Sequence, residues 1–145
     1  MPNIEPDSSA RRRVHVAVGV ISDGGSDILV SRRAEHAHQG GLWEFPGGKV
    51  EAGETVQQAL YRELLEELAI EVQSCEPLLT IAHDYTDKSV LLDVWWISAF
   101  NGEPQGREGQ PLRWVAGAEL RSLDFPKANE VIIAAVEEKL AAKGG

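Results

Sequence analysis

One cysteine, Cys75, stands in 145 residues. That excludes an intrachain disulfide and a cysteine-built zinc cluster, and a reducing cytosol is the compartment it fits. Aromatic residues are sparse at 6%. No apolar run reaches the ~18 residues that a membrane span needs. Basic charge is short as well: 14 Lys and Arg face 23 Asp and Glu, a net charge of −9. This balance speaks against a dedicated binder of duplex DNA or of anionic membranes, whose affinity comes from clustered Lys and Arg. A small anionic ligand stays open, because a divalent cation bridges two negative partners. Arg11, Arg12 and Arg13 precede the apolar Val14–Ile21 and superficially suggest a signal peptide. The run is too short, contains His15, and has no small-residue cleavage site before Asp23-Gly24-Gly25. The expectation is a soluble cytoplasmic monomer with no membrane attachment and no stable nucleic-acid complex.

What is present is globular. Apolar residues make up 43% and charged residues 26%, near the averages for one folded domain. A domain of this length buries about 68–70% of its unfolded surface. Residues 1–10, polar and carrying Pro2 and Pro6, read as a flexible tail, and 11–145 as a single domain. Val14, Val16, Val18 and Val20 alternate with His15, Ala17 and Gly19, a period-2 strand. Asp23–Ser26 is a turn into a second strand over 28–32, so a hairpin is predicted. Residues 34–53, with Gly40, Gly41, Gly47, Gly48 and Gly53, read mostly as loop. Thr55–Leu68 lacks Gly and Pro and reads as helix. Strands follow over 72–81 and 90–100, joined by a turn at 84–87. In the latter strand Leu91, Trp95, Ile97 and Ala99 point one way, and Leu92, Val94, Trp96 and Phe100 the other. Both faces are apolar, so both are expected to be covered. A loop over 101–110, a short strand over 112–115 and a helix over 127–142 complete an α/β chain, read as a helix–sheet–helix sandwich.

The chemistry lies between Phe45 and Ile70. Glu63, Glu66 and Glu67 are spaced i, i+3, i+4, within about a 100° arc of one helix face. Leu60, Leu64 and Leu68, with Tyr61 and Leu65, lie on the adjoining face and are expected to bury the helix. Each like-charge pair costs roughly 0.2–0.5 kcal/mol on an exposed helix. A hard divalent cation removes that cost, since Mg²⁺ takes oxygen ligands and commonly joins carboxylates to substrate phosphate. Gly47 and Gly48 permit a sharp turn and a close backbone approach just before the helix, where a carbonyl completes the ligand shell. A bare Glu-x-x-Glu-Glu is ordinarily a solvated face; Gly47-Gly48, Glu54 and Arg62 set this one apart.

The stretch Gly48-x5-Glu54-x7-Arg62-Glu63-Leu64-x-Glu66-Glu67-x-x-Ile70 resembles the signature of the Nudix hydrolases. The signature has a glycine where this chain has Ala69, at the helix exit. The resemblance implies an α/β/α sandwich around a mixed β-sheet, and hydrolysis of a nucleoside diphosphate linked to another moiety with Mg²⁺, for which Mn²⁺ substitutes. Further segments, among them Arg32-Arg33-Ala34, Glu44-Phe45-Pro46-Gly47-Gly48-Lys49, Gly106-Arg107-Glu108-Gly109-Gln110-Pro111 and Phe125-Pro126-Lys127-Ala128-Asn129-Glu130, resemble the MutT branch, which sanitises oxidised guanine nucleotides.

By that resemblance Glu63, Glu66, Glu67 and the Gly47 carbonyl hold metal, and Arg62 orients the carboxylates. Glu108 supplies a further metal ligand or the base; Glu54 and Glu63 are the other candidates for the base. Arg33, His38, Phe45, Lys88, Ala128 and Asn129 contact the nucleotide, with Lys88 standing where the branch has arginine. Asn129 is the candidate specificity residue, because its amide offers one donor group and one acceptor. Oxidised guanine presents an acceptor beside a new N7–H donor, whereas guanine presents two acceptors. The competing reading makes Asn129 a helix cap. Trp95, Trp96 and Cys75 read as packing residues. The implied activity is conversion of 8-oxo-dGTP to monophosphate and pyrophosphate. The alternatives are a pyrophosphatase for dCTP or its modified forms, and a non-catalytic nucleotide-binding domain.

Overall fold

The computed structural model describes residues 12–34, 40–84 and 86–144. The expected tail over 1–10, His38 and Tyr85 of the 84–87 turn lie outside the described residues. β1 (Arg12–Ser22) and β2 (Asp27–Arg32) form the predicted hairpin, with Ile21 opposite Leu29. β3 (Trp43–Glu44) and β4 (Gly47–Lys49) follow, then α1 (Val56–Leu68), β5 (Glu71–Asp84), β6 (Lys88–Asn101), β7 (Leu112–Ala116) and α2 (Glu130–Gly144). The described strands make one mixed sheet in the order β3-β2-β1-β6-β5, with β4 added to β1 and β7 to β2. Only β1 and β6 pair in parallel; the other pairings are antiparallel.

The pleat sends alternate residues to opposite layers. Ala17, Ile21, Leu29 and Ile97 pack under Leu60, Leu64 and Leu68 of α1. Val18, Val20, Ile28, Val30, Val94 and Trp96 pack under Ile132, Ile133 and Val136 of α2. The sandwich expected from the two-faced strand is therefore the observed architecture. Trp96 is core, while Trp95 is half-buried and donates its indole N–H to Asp93 at 2.9 Å.

Some elements differ from expectation. The 34–53 segment holds two short strands, because β4 pairs with Val16, Ala17 and Val18 of β1 in spite of its glycines. Tyr61 and Leu65 are 41% and 46% exposed, so the buried stripe of α1 is Ala59, Leu60, Leu64 and Leu68. Phe100 packs in the α1 layer rather than opposite it and stacks on Trp114. Register irregularities between Val72 and Cys75 in the β5–β6 pairing shift the alternation there. Lys127–Asn129 form a 3₁₀ turn ahead of α2 instead of its first α-helical turn. β1 starts at Arg12, so Arg12 and Arg13 are strand residues. No described helix is long and apolar enough to cross a membrane.

Candidate active site

Thr55 starts α1. Its side chain accepts the Gln58 N–H and the Gln58 side chain accepts the Thr55 N–H, a reciprocal cap. This sets the phase of the helix, and Glu63 then faces β4. Gly48 lies against it: a Cβ would stand 2.3 Å from the Glu63 Cδ, so the Glu63 carboxylate would have to swing away. At Gly47 a Cβ would stand 2.0 Å from the Ala17 carbonyl oxygen. The diglycine thus lets the strand lie flat between β1 and an acidic helix.

Arg62 gathers the outer carboxylates. Its Nε and Nη2 donate to the two Glu54 oxygens at 2.7 and 2.9 Å. Nη1 donates to Glu63 at 2.9 Å, and Nη2 to the Lys49 carbonyl at 3.0 Å. Glu66 Oε1 lies 3.6 Å from Nη1, and its side chain is 61% exposed. The Arg62 hydrogen bonds, and the Glu51 N–H bonded to Glu54, hold the Glu54 carboxyl down at about 2. Glu67 is the opposite case. Burial first, then hydrogen bonding with Glu63 and the charges of Glu63, Glu108 and Glu44, push it up to about 9. Glu44 is also raised, by burial that its Arg33 partner only partly offsets; Arg33 Nη1 donates to Glu44 at 2.8 Å.

Two cavities adjoin at Arg33, Glu44 and Gly47. One, of about 260 Å³, runs between the sheet and α2 and carries Phe45, Ala128 and Asn129 among apolar Val18, Leu92 and Ile132. Phe45 is buried and stacks on Phe125, ring centres 5.1 Å apart. The other, of about 400 Å³, carries Glu67, Glu108 and Gln110. The sequence-predicted residues Arg33, Phe45, Gly47, Glu67, Glu108, Ala128 and Asn129 are thus brought together. Glu54, Arg62, Glu63 and Glu66 form the network beside them. Lys88 opens β6 opposite Arg12 and lines neither cavity. Sequence reasoning missed Glu44, whose link to Arg33 depends on the two-residue pairing of β2 with β3. It also missed Gln110, whose side chain acts through backbone contacts that leave no pattern in the sequence.

Among the described residues no three His, Cys, Asp or Glu already close into a metal cage. The donor set nevertheless suits a hard divalent cation: the side chains are all carboxylates, the neighbouring backbone offers carbonyls, and soft ligands are missing from the set. The charges of Glu63, Glu108 and Glu44 that raise Glu67 are relieved by such an ion.

Comparison with known proteins bears on the same residues. The NUDIX domain profile matches residues 17–135. The 8-oxo-dGTP diphosphatase of Escherichia coli K12 is 41% identical over 123 residues, covering 85% of this chain and 95% of that protein. The CTP pyrophosphohydrolase of the same organism is 37% identical over 117 residues, covering 81% and 84%. A solved structure from work on MutT of Aliivibrio salmonicida and Vibrio cholerae superposes with a TM-score of 0.78 at 40% identity, covering 90% of this chain and 99% of the other.

Proposed function

This chain belongs to the NUDIX family, and we propose that it hydrolyses 8-oxo-dGTP and related oxidised guanine nucleoside triphosphates to the monophosphate and pyrophosphate. One observation carries the reading: the apolar slot bearing Asn129 opens directly onto the carboxylate-lined cavity, through the shared Arg33, Glu44 and Gly47. A purine in the slot places its phosphates toward Glu67 and Glu108. The 41% identity to an 8-oxo-dGTP diphosphatase over nearly all of that protein supports the same reading.

NUDIX hydrolases generally need a divalent metal, and we assign Mg²⁺, or Mn²⁺ in its place, to the Gly47 carbonyl, Glu63, Glu66, Glu67 and Glu108. When bound, the ion neutralises phosphate charge and lowers the pKa of a water. The protein's own contribution is positioning and charge. Arg62 orients Glu54 and Glu63 and keeps Glu54 ionised, and Glu54, Glu63 or Glu108 takes the water's proton. Arg33 offers its cation where base and phosphate cavities meet. Phe45 and Ala128 wall the base, and Asn129 pairs its donor and acceptor with the oxidised edge. Ordinary guanine sets an acceptor against the Asn129 acceptor, and sites built on such matching reject the wrong partner by ~10⁴ or more. Lys88 and His38 belong to the nucleotide-contacting set by resemblance. Action on free nucleotides as a cytoplasmic monomer is part of this reading.

The test is a panel of 8-oxo-dGTP, dGTP and dCTP with Mg²⁺, with the products identified. The expected result is pyrophosphate release with kcat/KM highest for 8-oxo-dGTP, and selective loss of that preference in Asn129→Ala. Equal kcat/KM for the three nucleotides contradicts it. Preference for dCTP would instead support the activity named for the 37% identical relative.

A further inference from the structure

An α-helix leaves its last carbonyls for other groups to satisfy. Here the loop between β6 and β7 supplies the donors. The Gln105 N–H bonds the Leu68 carbonyl at 2.9 Å, and the Arg107 N–H bonds the Glu67 carbonyl at 3.1 Å. The loop comes this close because Gly102 has no side chain; a Cβ there would stand 2.7 Å from the Ala69 carbonyl oxygen. Gln110 then closes the loop. Its Nε2 donates to the Glu67 carbonyl at 3.3 Å, and its Oε1 accepts the Glu108 N–H at 2.8 Å. Gly106 makes the fold-back possible, since a Cβ there would meet the Gln110 carbonyl oxygen at 2.1 Å. One amide thus holds the backbones of the two residues whose carboxylates line the same cavity.

We propose that Gln110 is a positioning residue that ties the Glu108 backbone to the end of α1 and keeps the Glu108 and Glu67 carboxylates on one cavity. The inference rests on the reading of that cavity as the metal and phosphate side of the site. Once both are ionised, as metal ligation requires, Glu67 and Glu108 repel each other across the shared cavity. The Gln105 and Arg107 backbone bonds hold the loop to the helix, and the Gly109 N–H closes a turn around Glu108 on the Gly106 carbonyl at 2.9 Å. The Gln110 side chain is what links the Glu108 N–H in that turn to the Glu67 carbonyl of α1.

The test compares Gln110→Ala and the volume-preserving Gln110→Met in the full chain. Amide exchange is read by NMR, Mn²⁺ binding by electron paramagnetic resonance, and kcat in both the unaltered and Glu108→Gln backgrounds. Exchange of the Glu108 N–H is expected to accelerate roughly tenfold, while the Gln105 and Arg107 amides and Tm hold. Mn²⁺ affinity falls roughly three- to tenfold. kcat falls in the unaltered background and not further in Glu108→Gln, as for two residues acting through one group. Unchanged Glu108 exchange with unchanged Mn²⁺ affinity overturns the proposal. So does a kcat loss that multiplies in Glu108→Gln, or a collapse of Tm in both variants. Exchange and Mn²⁺ shifts in a protein that releases no pyrophosphate from any nucleotide would uphold Gln110 and overturn the proposed function instead.

Discussion

Ala69 stands at φ 62° and ψ 31°, the left-handed conformation, with its N–H bonded to the Leu64 and Leu65 carbonyls. It is the one non-glycine residue at positive φ among those described. The position ends α1 in the way glycine usually does, and an L side chain there costs about 1–2 kcal/mol. The chain bears that cost without losing the helix exit, so the departure from the Nudix signature alters stability and leaves Glu66 and Glu67 in phase. Ala69→Gly is therefore predicted to stabilise the protein by about 1 kcal/mol, read as a higher urea midpoint at constant m-value. An unchanged or lower midpoint would refute the strain. Gly48 shows the reverse dependence. A Cβ would displace the Glu63 carboxylate, so glycine at 48 lets that carboxylate lie against the strand in its present place. That pairing was half legible: the sequence announces a diglycine and a glutamate, but not that the two touch.

α1 carries two faces with opposing energetics. Fully burying Leu60, Leu64 and Leu68 contributes about 1.5–3 kcal/mol each, whereas each like-charge pair on the acidic face costs only a few tenths. The core term wins, and the helix tolerates its carboxylates. Its 3.6-residue period made the helix legible, though not the exposure of Tyr61 and Leu65. Glu67 records the remaining cost. Its carboxyl titrates at about 9 rather than 4.5, so the folded protein holds a proton that the unfolded chain has released. Stability of the metal-free protein is therefore greatest below the unfolded value and falls as pH climbs through that window. A divalent cation relieves the same repulsion. Thermal melts are predicted to show Tm declining from about pH 5 to about pH 8.5 without metal, with Mg²⁺ raising Tm more at the upper pH. An equal Mg²⁺ shift at both ends would contradict this account of Glu67.

At the scale of the molecule, the site is a product of topology. β1 gives one edge to β6 along its length and divides the other between β2 and β4. The cavities lie about that division, where Arg33 and Glu44 meet Gly47. The long strands, the hairpin and the acidic helix were legible because each follows a local period. The three-residue β4, the Arg33–Glu44 pair and the Gln110 bridge were not, because pairings between distant segments create them. The same topology bears on how a net charge of −9 suits an anionic substrate: Glu67 and Glu108 gather in one cavity, and Arg33 stands where it joins the other. Crystals soaked with Mn²⁺ and a non-hydrolysable nucleotide test this arrangement most directly. The account predicts an anomalous difference peak among the Gly47 carbonyl, Glu63 and Glu67; a fully bound nucleotide with no such peak would contradict it.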